Sequence, residues 1–498
     1  MYARGPSLLT PGRALLVCLS LCLFARAAHA QAVAQTPAAP TPPPAAGRAP
    51  SPAEELPRGQ VIERVAARRD PSQTYALYLP SNYTPARRWP IVYCFDPAAR
   101  GALPARLFAE AAERFGWVVA GSNNSRNGPI KASLDAAAAM AEDAEARLSL
   151  DRGRVYTAGF SGGARQAVLL DFLCRHCLAG VIAVGAGYPP DFKPAAPVRL
   201  ALFGVAGVDD FNFAEMKALD AELSRLGAAH RFESFTGGHA WAPKEVVMAA
   251  VEWMELQAVR TGRRAGDGAF VAGVWGRRLA EARRLEAGPD PYAAFRAYES
   301  LAADFRGLRD VTEAESRRDA LGASKEVRGA LKDEAGQSSR QQRVVSELFE
   351  LAERRRGEFE ARVRAAADFR RLVEGLRAKA KAEADSGERR VARRALNQVA
   401  AHFYEAAANL RQRRARAADV VGALELAAEV APNSPQLFFE LAVAHAENSD
   451  RKRALAALRA AFEKGFKDAA ALEREPALEA LRDDTEYKRL VESLRPGP

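Results

Sequence analysis

The first half of the chain alternates between short apolar runs and longer amphipathic stretches. The apolar runs have the length and composition of buried strands. They cover residues 73–79, 89–95, 117–121, 155–158, 180–186, 199–205 and 230–235, and the first alternates as an edge or antiparallel strand does. Helical patterns occupy residues 107–115, 132–148, 164–173, a stretch beginning near 213, and 244–257. Strands that alternate with helices predict a mainly parallel, doubly wound α/β sheet.

The character of the sequence changes after Val259. A Gly- and Arg-rich linker at residues 260–268 lacks apolar periodicity, and beyond it Ala, Leu, Glu and Arg dominate. This half is predicted to be all helical. Because the linker carries glycines and no apolar pattern, few contacts are expected to cross it, and the sheet domain is expected to fold without the helices.

The end of the helical half contains a repeat with a period of about 34 residues, the tetratricopeptide length. Tyr404, Ala408, Leu424 and Ala427 recur as Phe438, Ala442, Leu458 and Ala461. Residues 401–433 and 434–467 are therefore predicted as two tetratricopeptide-like units, with a capping helix pair at 475–494 and a divergent earlier unit at 290–321. Such repeats present extended binding surfaces, so a protein partner is expected to dock there.

The N-terminus has the pattern of a signal peptide. Arg4 and Arg13 precede an apolar run at 14–25, and Ala28-His29-Ala30 supplies a small-x-small cleavage site. That run is too short to anchor the chain in a bilayer. We therefore expect an exported chain, periplasmic or secreted, with no integral membrane segment after cleavage.

Together these patterns divide the 498 residues into six segments. They are a signal peptide at 1–30, a disordered Ala/Pro-rich spacer at 31–57, an α/β domain at 58–260, a linker at 261–269, a helical region at 270–400, and the repeats with their capping helices at 401–498.

The net charge of +10 comes from Arg residues scattered along helices. No compact basic patch with interleaved aromatic residues occurs, which argues against nucleic-acid binding. Weak attraction to anionic envelope surfaces or polysaccharides is the alternative. The Arg-rich stretch at 378–394 is predicted as a solvated helix face.

A serine between glycines follows the strand at 155–158. The pentapeptide Gly159-Phe160-Ser161-Gly162-Gly163 joins that strand to the next helix. Flanking glycines permit the tight turn that lifts a hydroxyl above a sheet, and the helix N-terminus directs its amides at any oxyanion formed there. Ser161 is thus a candidate nucleophile and the Gly162 amide a candidate oxyanion donor. A Gly-rich turn without chemistry is the alternative.

His239 is the candidate general base, chosen by elimination. It follows the strand at 230–235 and the pair Gly237-Gly238, at the edge where catalytic residues of open α/β sheets gather. A surface loop histidine is the alternative. The other histidines lie in the predicted leader, a helix, a strand or the helical half: His29, His176, His230, His402 and His445.

Two adjacent aspartates compete for the role of the acid that orients the histidine. Asp209 and Asp210 both follow the buried strand at 199–205. Asp210 is favoured because Gly207 and Asn212 flank it in the manner of a loop that turns back towards the sheet. The other aspartate is expected to cap the helix that begins near Phe213.

Residues 73–257 resemble an α/β-hydrolase serine esterase, close in pattern to the secreted polyhydroxybutyrate depolymerase and feruloyl-esterase group. The resemblance rests on the serine pentapeptide, the segment Asp210-Phe211-Asn212 and the run Gly238-His239-Ala240-Trp241. The chain order of serine, acid and histidine is that of the fold. It implies ester hydrolysis by Ser161, His239 and Asp210 without a cofactor, with Trp241 as a pocket wall. Trp241 as a core anchor of the last helix is compatible with that role.

The α/β-hydrolase architecture places a second oxyanion donor in the loop after the strand at 89–95, at a backbone amide near Ala98. This loop begins Phe95-Asp96-Pro97, where many members of the group carry a His-Gly pair. The departure leaves the geometry of the oxyanion hole, and with it the substrate class, open.

Three cysteines remain after the predicted cleavage. Cys94 lies on a central strand and is expected to be a buried thiol. Cys174-Arg175-His176-Cys177 has the spacing of a local disulfide or part of a metal site. Zinc needs four converging ligands and the chain has no second pair, so no metal site is predicted, and the disulfide is left open.

Two functions of different classes fit these patterns. One is an exported serine esterase whose repeats dock a partner or a polymeric substrate. The other is an envelope scaffold with a relic hydrolase domain, which is expected to have lost at least one of the three residues. All three remain in order, which favours the enzyme. A serine peptidase is a third reading within the same chemistry.

Overall fold

The computed structural model describes residues 56–492. The predicted signal peptide at 1–30 and nearly all of the spacer at 31–57 lie outside these residues. The last six residues of the chain also lie outside them.

Eight strands form one mixed sheet in the order β1-β2-β4-β3-β5-β6-β7-β8. β2 pairs antiparallel with β1 and with β4, and every pairing from β4 to β8 is parallel. The predicted mainly parallel α/β sheet is confirmed, and it is consistent with an α/β-hydrolase sheet. The strands are β1 (Val61–Ala66), β2 (Thr74–Tyr78), β3 (Trp89–Phe95), β4 (Val118–Ser122), β5 (Leu150–Phe160), β6 (Gly180–Val184), β7 (Ala201–Gly207) and β8 (His230–Phe235).

Five helices cover the two faces of the sheet. Alternate residues of a strand point to opposite faces, and β3 shows this directly. Ile91 belongs to the core under α2, α3 and α4, whereas Val92 belongs to the core under α1 and α5. Both faces are therefore buried. The helices are α1 (Ala102–Phe115), α2 (Ile130–Arg147), α3 (Gly162–Leu173), α4 (Phe213–Arg225) and α5 (Lys244–Arg260).

The second half is helical throughout the part that the structure describes, as predicted. None of the helices within residues 56–492 is long and apolar enough to cross a membrane. The elements are α6 (Gly268–Glu286), α7 (Pro291–Phe305), α8 (Thr312–Gly322), α9 (Lys325–Arg354), α10 (Phe359–Ala380), α11 (Gly387–Gln412), α12 (Ala417–Val430), α13 (Pro435–Glu447), α14 (Arg451–Glu463), α15 (Ala469–Arg474), a 3₁₀ helix (Pro476–Leu481) and α16 (Thr485–Glu492).

The pairs α11–α12 and α13–α14 lie where the repeat in the sequence predicts two helix pairs. The matched positions of the second helices, Leu424 and Leu458, are both buried in one core. The matched positions of the first helices differ, because Tyr404 is exposed and Phe438 is partly buried. The tetratricopeptide-like assignment stays a prediction.

Side chains of the helical half contact the sheet domain at several points, so the two halves are not joined by the linker alone. Leu256 of α5 is fully buried in a cluster with side chains of α6 and α7. The indole Nε1 of Trp253 donates to Oδ1 of Asp304 at 2.6 Å, and Arg231 of β8 pairs with the same carboxylate. Some apolar residues of α5 pack on the sheet, and Leu256 packs on α6 and α7. The sequence pattern of α5 does not show which residue meets which partner.

The Arg-rich stretch at 378–394 is not a single solvated helix face. It spans the end of α10, a break at 381–386 and the start of α11. Arg394 is only 1% exposed, and its Nε donates to the carbonyl of Val208 in the sheet domain at 2.6 Å. This arginine is part of the contact between the two halves.

Candidate active site

Ser161 lies on a sharp turn between β5 and α3. Its φ of 54° is in the left-handed region, where a residue with a Cβ is strained unless its surroundings hold it. The Ser161 amide donates to the carbonyl of Val184 at 2.8 Å, which ties the turn to the end of β6. The hydroxyl is thereby held beyond the carboxyl end of the sheet.

The glycines beside Ser161 are needed for close packing. A Cβ on Gly159 would come within 2.1 Å of the carbonyl oxygen of Gly163, and one on Gly163 within 2.1 Å of the carbonyl oxygen of Phe95. Backbone therefore packs directly on backbone at this corner. Any larger residue at these positions would push the turn away from β3.

Glycines also bring the acid and the histidine together. Gly207, at the end of β7, packs so tightly that a Cβ there would lie 2.4 Å from the carbonyl oxygens of Gly237 and Gly238. The backbone just before His239 is therefore pressed against the strand that leads to Asp210. Gly185 lies against both side chains. A Cβ on it would come within 3.0 Å of Oδ2 of Asp210 and within 3.1 Å of Cε1 of His239.

Ser161, His239 and Asp210 form a hydrogen-bonded relay. Nε2 of His239 lies 2.8 Å from Oγ of Ser161. Nδ1 of His239 lies 2.9 Å and 3.0 Å from the two carboxylate oxygens of Asp210. Asp210 is fully buried and the His239 side chain is 18% exposed. Such an arrangement can deprotonate a serine hydroxyl while a buried carboxylate orients the imidazole.

Asp209 has a different environment from its neighbour. Its Oδ2 forms an ion pair with Nη1 of Arg393 on α11 at 2.8 Å, so it does not cap α4 as the sequence suggested. Asn212 is the residue at the N-cap, and its side chain makes no capping hydrogen bond. The structure brings Asp210, and not Asp209, to the histidine.

Two phenylalanines enclose the imidazole of His239. The ring of Phe211 lies 4.1 Å from it, centroid to centroid, and the ring of Phe160 lies 4.6 Å from it. These apolar neighbours limit the rotation of the ring and keep water from its faces. Phe160 comes from the serine turn and Phe211 from the segment that holds Asp210, so each element of the site also packs on the histidine.

Trp241 lies beside the site and is held there by the carboxylate of Asp96, a residue that the sequence analysis did not assign to the site. Its Nε1 donates to Oδ2 of Asp96 at 2.9 Å, and its ring centroid is 5.9 Å from that of Phe160. Asp96 is fully buried and also pairs with Arg100. Burial acts to raise the pKa of Asp96, but hydrogen bonds from Arg100, Trp241 and the Ala98 amide outweigh it and hold that pKa below its usual value.

The prediction of Ala98 as the second oxyanion donor does not fit this loop. The Ala98 amide already donates to Oδ1 of Asp96 at 2.9 Å, and Pro97 has no N–H. An aspartate readily accepts from the amide two residues later, so the Asp-Pro-Ala sequence itself contained the signal. Asp96 thus folds the loop onto its own carboxylate.

A cleft of about 370 Å³ opens beside Gly162. Oδ1 of Asn127 lies so close to Gly162 that a Cβ there would come within 1.9 Å of it. Two apolar side chains that line the cleft, Ile130 and Phe192, are 51% and 39% exposed. The cleft therefore combines exposed apolar side chains with polar and charged ones such as Asn127 and Arg165.

The cysteine pair at the end of α3 forms a disulfide between Cys174 and Cys177. His176 does not join them, because its Nδ1 is 2.7 Å from Oδ2 of Asp171. Within residues 56–492, no group of three or more His, Cys, Asp or Glu side chains is placed to hold a metal ion. Cys94 is a buried thiol, as predicted.

Structural comparison finds similar solved proteins among ester hydrolases, at low similarity. An S-formylglutathione hydrolase from Staphylococcus aureus is 15% identical with a TM-score of 0.33, over 40% of this chain and 98% of that one. An esterase from Pyrobaculum calidifontis is 14% identical with a TM-score of 0.34, over 41% of this chain and 87% of that one. No protein-family model matches the chain, and no similar curated protein is found. Similarity at this level does not identify a reaction.

Proposed function

We propose that the chain is a serine hydrolase that cleaves carboxylic esters through an acyl-enzyme. The observation that carries this proposal is the relay from Ser161 through His239 to the buried carboxylate of Asp210, with distances of 2.8 Å and 2.9 Å. The resemblance of the serine, acid and histidine motifs to the esterase group supports an ester as the substrate. No cofactor is needed for this chemistry.

In this mechanism His239 removes the hydroxyl proton as Oγ of Ser161 attacks the ester carbonyl. Asp210 stabilises the imidazolium that results and keeps Nε2 directed at the serine. His239 then protonates the departing alcohol, and water attacks the acyl-enzyme with the same histidine as base. The acid is released and Ser161 is restored.

The negative charge that develops on the carbonyl oxygen needs donors fixed in advance. The Gly162 amide, at the first position of α3, is the first of these. The side-chain amide of Asn127 lies against Gly162 with its acceptor Oδ1 nearer than its donor Nδ2, so no second donor is assigned. The exposed side chains of Ile130 and Phe192 in the adjoining cleft favour an acyl or alcohol group with some hydrocarbon character.

The aligned serine, histidine and aspartate also bear on the two competing functions, a non-catalytic scaffold and a serine peptidase. A relic domain has no reason to keep a strained serine aligned with a histidine and a buried acid, so a pure scaffold is disfavoured. Peptide hydrolysis uses the same relay and remains an outcome of the substrate test. Export and partner docking by the repeats are proposals that rest on the N-terminal pattern and the repeat in the sequence.

We expect the purified chain from residue 31 onward to hydrolyse p-nitrophenyl esters. Turnover measured across acyl lengths from acetate to palmitate would report the depth of the apolar cleft. A fluorophosphonate probe is expected to label Ser161 under the same conditions. No ester turnover together with no labelling would contradict the proposal, and cleavage of peptide anilides faster than esters would favour the peptidase.

Replacing Asp210 with Asn is expected to be far more damaging than the same change at Asp209. The neutral amide favours the wrong imidazole tautomer, which costs about 10⁴-fold in kcat in a serine protease triad. Asp209→Asn weakens a partly buried ion pair with Arg393 but leaves the carboxylate that meets His239 in place, so its loss in kcat is expected to be much smaller. Steady-state kinetics with one short ester would measure both. Equal losses would assign the acid role to the pair instead of Asp210.

A further inference from the structure

The segment 208–213, here named the acid loop, carries Asp210 and forms two hydrogen bonds and one ion pair with the helical half. Nε of Arg394 donates to the carbonyl of Val208 at 2.6 Å. Nε2 of Gln341 donates to the carbonyl of Phe211 at 3.0 Å. The third contact is the ion pair between Arg393 and Asp209 at 2.8 Å. The donors come from α9 and α11, more than 120 residues away along the chain.

These contacts flank the acid on both sides. Arg393 and Arg394 hold the two residues before Asp210, and Gln341 holds the residue after it. Two of the three acceptors are backbone carbonyls, so the contacts constrain the path of the main chain itself. The direction of the Asp210 carboxylate depends on that path, because the side chain is short and has little freedom of its own.

Arg394 is a charged residue at a buried position, which is unusual unless the charged side chain has a role there. It is buried, and its guanidinium lies 3.9 Å over the ring of Phe213, the last residue of the acid loop. Burial lowers its pKa to about 10, and the charge of Arg390 acts in the same direction. A buried cation is costly, and an apolar side chain would often pack there at least as stably.

We infer that Gln341, Arg393 and Arg394 are positioning residues that hold the acid loop so that Asp210 meets Nδ1 of His239. This inference rests on the proposed ester hydrolysis. The helical half then contributes to the active site itself, besides any docking role of its repeats. The three residues touch no substrate and act only through Asp210.

The test compares variants of the loop contacts with a matched contact elsewhere in the full chain. Gln341→Leu combined with Arg393→Met removes two contacts but leaves the buried Arg394 in place. Arg277→Met is the control, since Arg277 of α6 pairs with Glu252 of α5 across the same two halves at 2.5 Å without touching the acid loop.

We expect the double variant to lose about 10- to 100-fold in kcat, because a displacement near 1 Å at a reacting group costs on the order of 10²-fold. KM for a short ester should change little, and the control should stay within about twofold of the parent. Arg393→Lys in place of Arg393→Met should recover part of the loss. A double variant as active as the control would overturn the inference.

A second arm uses the Asp210→Asn background. If the contacts act through Asp210, adding the double variant to Asp210→Asn should cause no further fall in kcat, because the carboxylate that they orient is already absent. Multiplied losses would show a general structural effect and overturn the inference.

A third readout does not depend on activity. Amide hydrogen exchange in residues 208–213 should be faster in the double variant than in the Arg277→Met control, since the loop would open locally. A parent chain without esterase activity would contradict only the proposed function. Unchanged hydrogen exchange in the acid loop would contradict only the positioning role.

Discussion

The Ser161→Ala variant is expected to lose essentially all ester hydrolysis while keeping its fold. The alanine removes the nucleophilic oxygen that Nε2 of His239 contacts at 2.8 Å, so no acyl-enzyme can form. Loss of the serine of such a triad costs about 10⁶-fold in turnover. Hydrolysis of the best p-nitrophenyl ester, followed with micromolar enzyme for hours, would measure the residual rate.

The control for this variant is Ser234→Ala, which changes an exposed serine of β8 outside the relay. Both variants should give the circular dichroism spectrum and melting temperature of the parent, since neither change opens a cavity in the core. Only Ser161→Ala should lose labelling by the fluorophosphonate probe. Undiminished hydrolysis by Ser161→Ala, after a second purification from a different host, would remove Ser161 from the mechanism.

Local chemistry along the chain was sufficient to predict the sheet and the members of the relay. The strands end where glycines and polar residues follow apolar runs, and such ends mark the edge where Ser161 and His239 meet. β1 was missed because its burial is irregular, with polar residues on an edge strand. The sequence could not decide firmly whether Asp209 or Asp210 is the acid, because a shift of one residue in a loop changes which side chain points into the core.

Contacts between distant parts of the chain could not be predicted in the same way. Arg393 and Arg394 share a helix with three other arginines, and nothing in their spacing shows which one meets the acid loop. The linker has the composition of a flexible connection, yet α5 beside it packs on α7 through Leu256. The spacing of apolar residues along a helix shows that one of its faces is apolar, but it does not show which element covers that face.

The fragment of residues 56–261 is expected to be insoluble or inactive, in contrast to the independence that the linker suggested. Cutting there removes Asp304, whose buried carboxylate pairs with Arg231 and accepts from Trp253. Breaking a buried pair costs about 3–5 kcal/mol, against a whole stability of about 5–15 kcal/mol for a typical domain. The cut also bares Leu256, which is fully buried in the intact chain.

A second fragment, residues 56–322, separates the two consequences of the cut. It keeps α6, α7 and α8, and with them Asp304, but lacks Gln341, Arg393 and Arg394. We expect it to be soluble, to melt cooperatively, and to hydrolyse a short ester with a lower kcat than the full chain because the acid loop is no longer held. Both fragments would be measured by circular dichroism and by turnover at equal concentration. If residues 56–261 alone melted cooperatively and matched the full chain in kcat, the helices would be a separable module, and neither the buried pair at Asp304 nor the contacts on the acid loop would matter for catalysis.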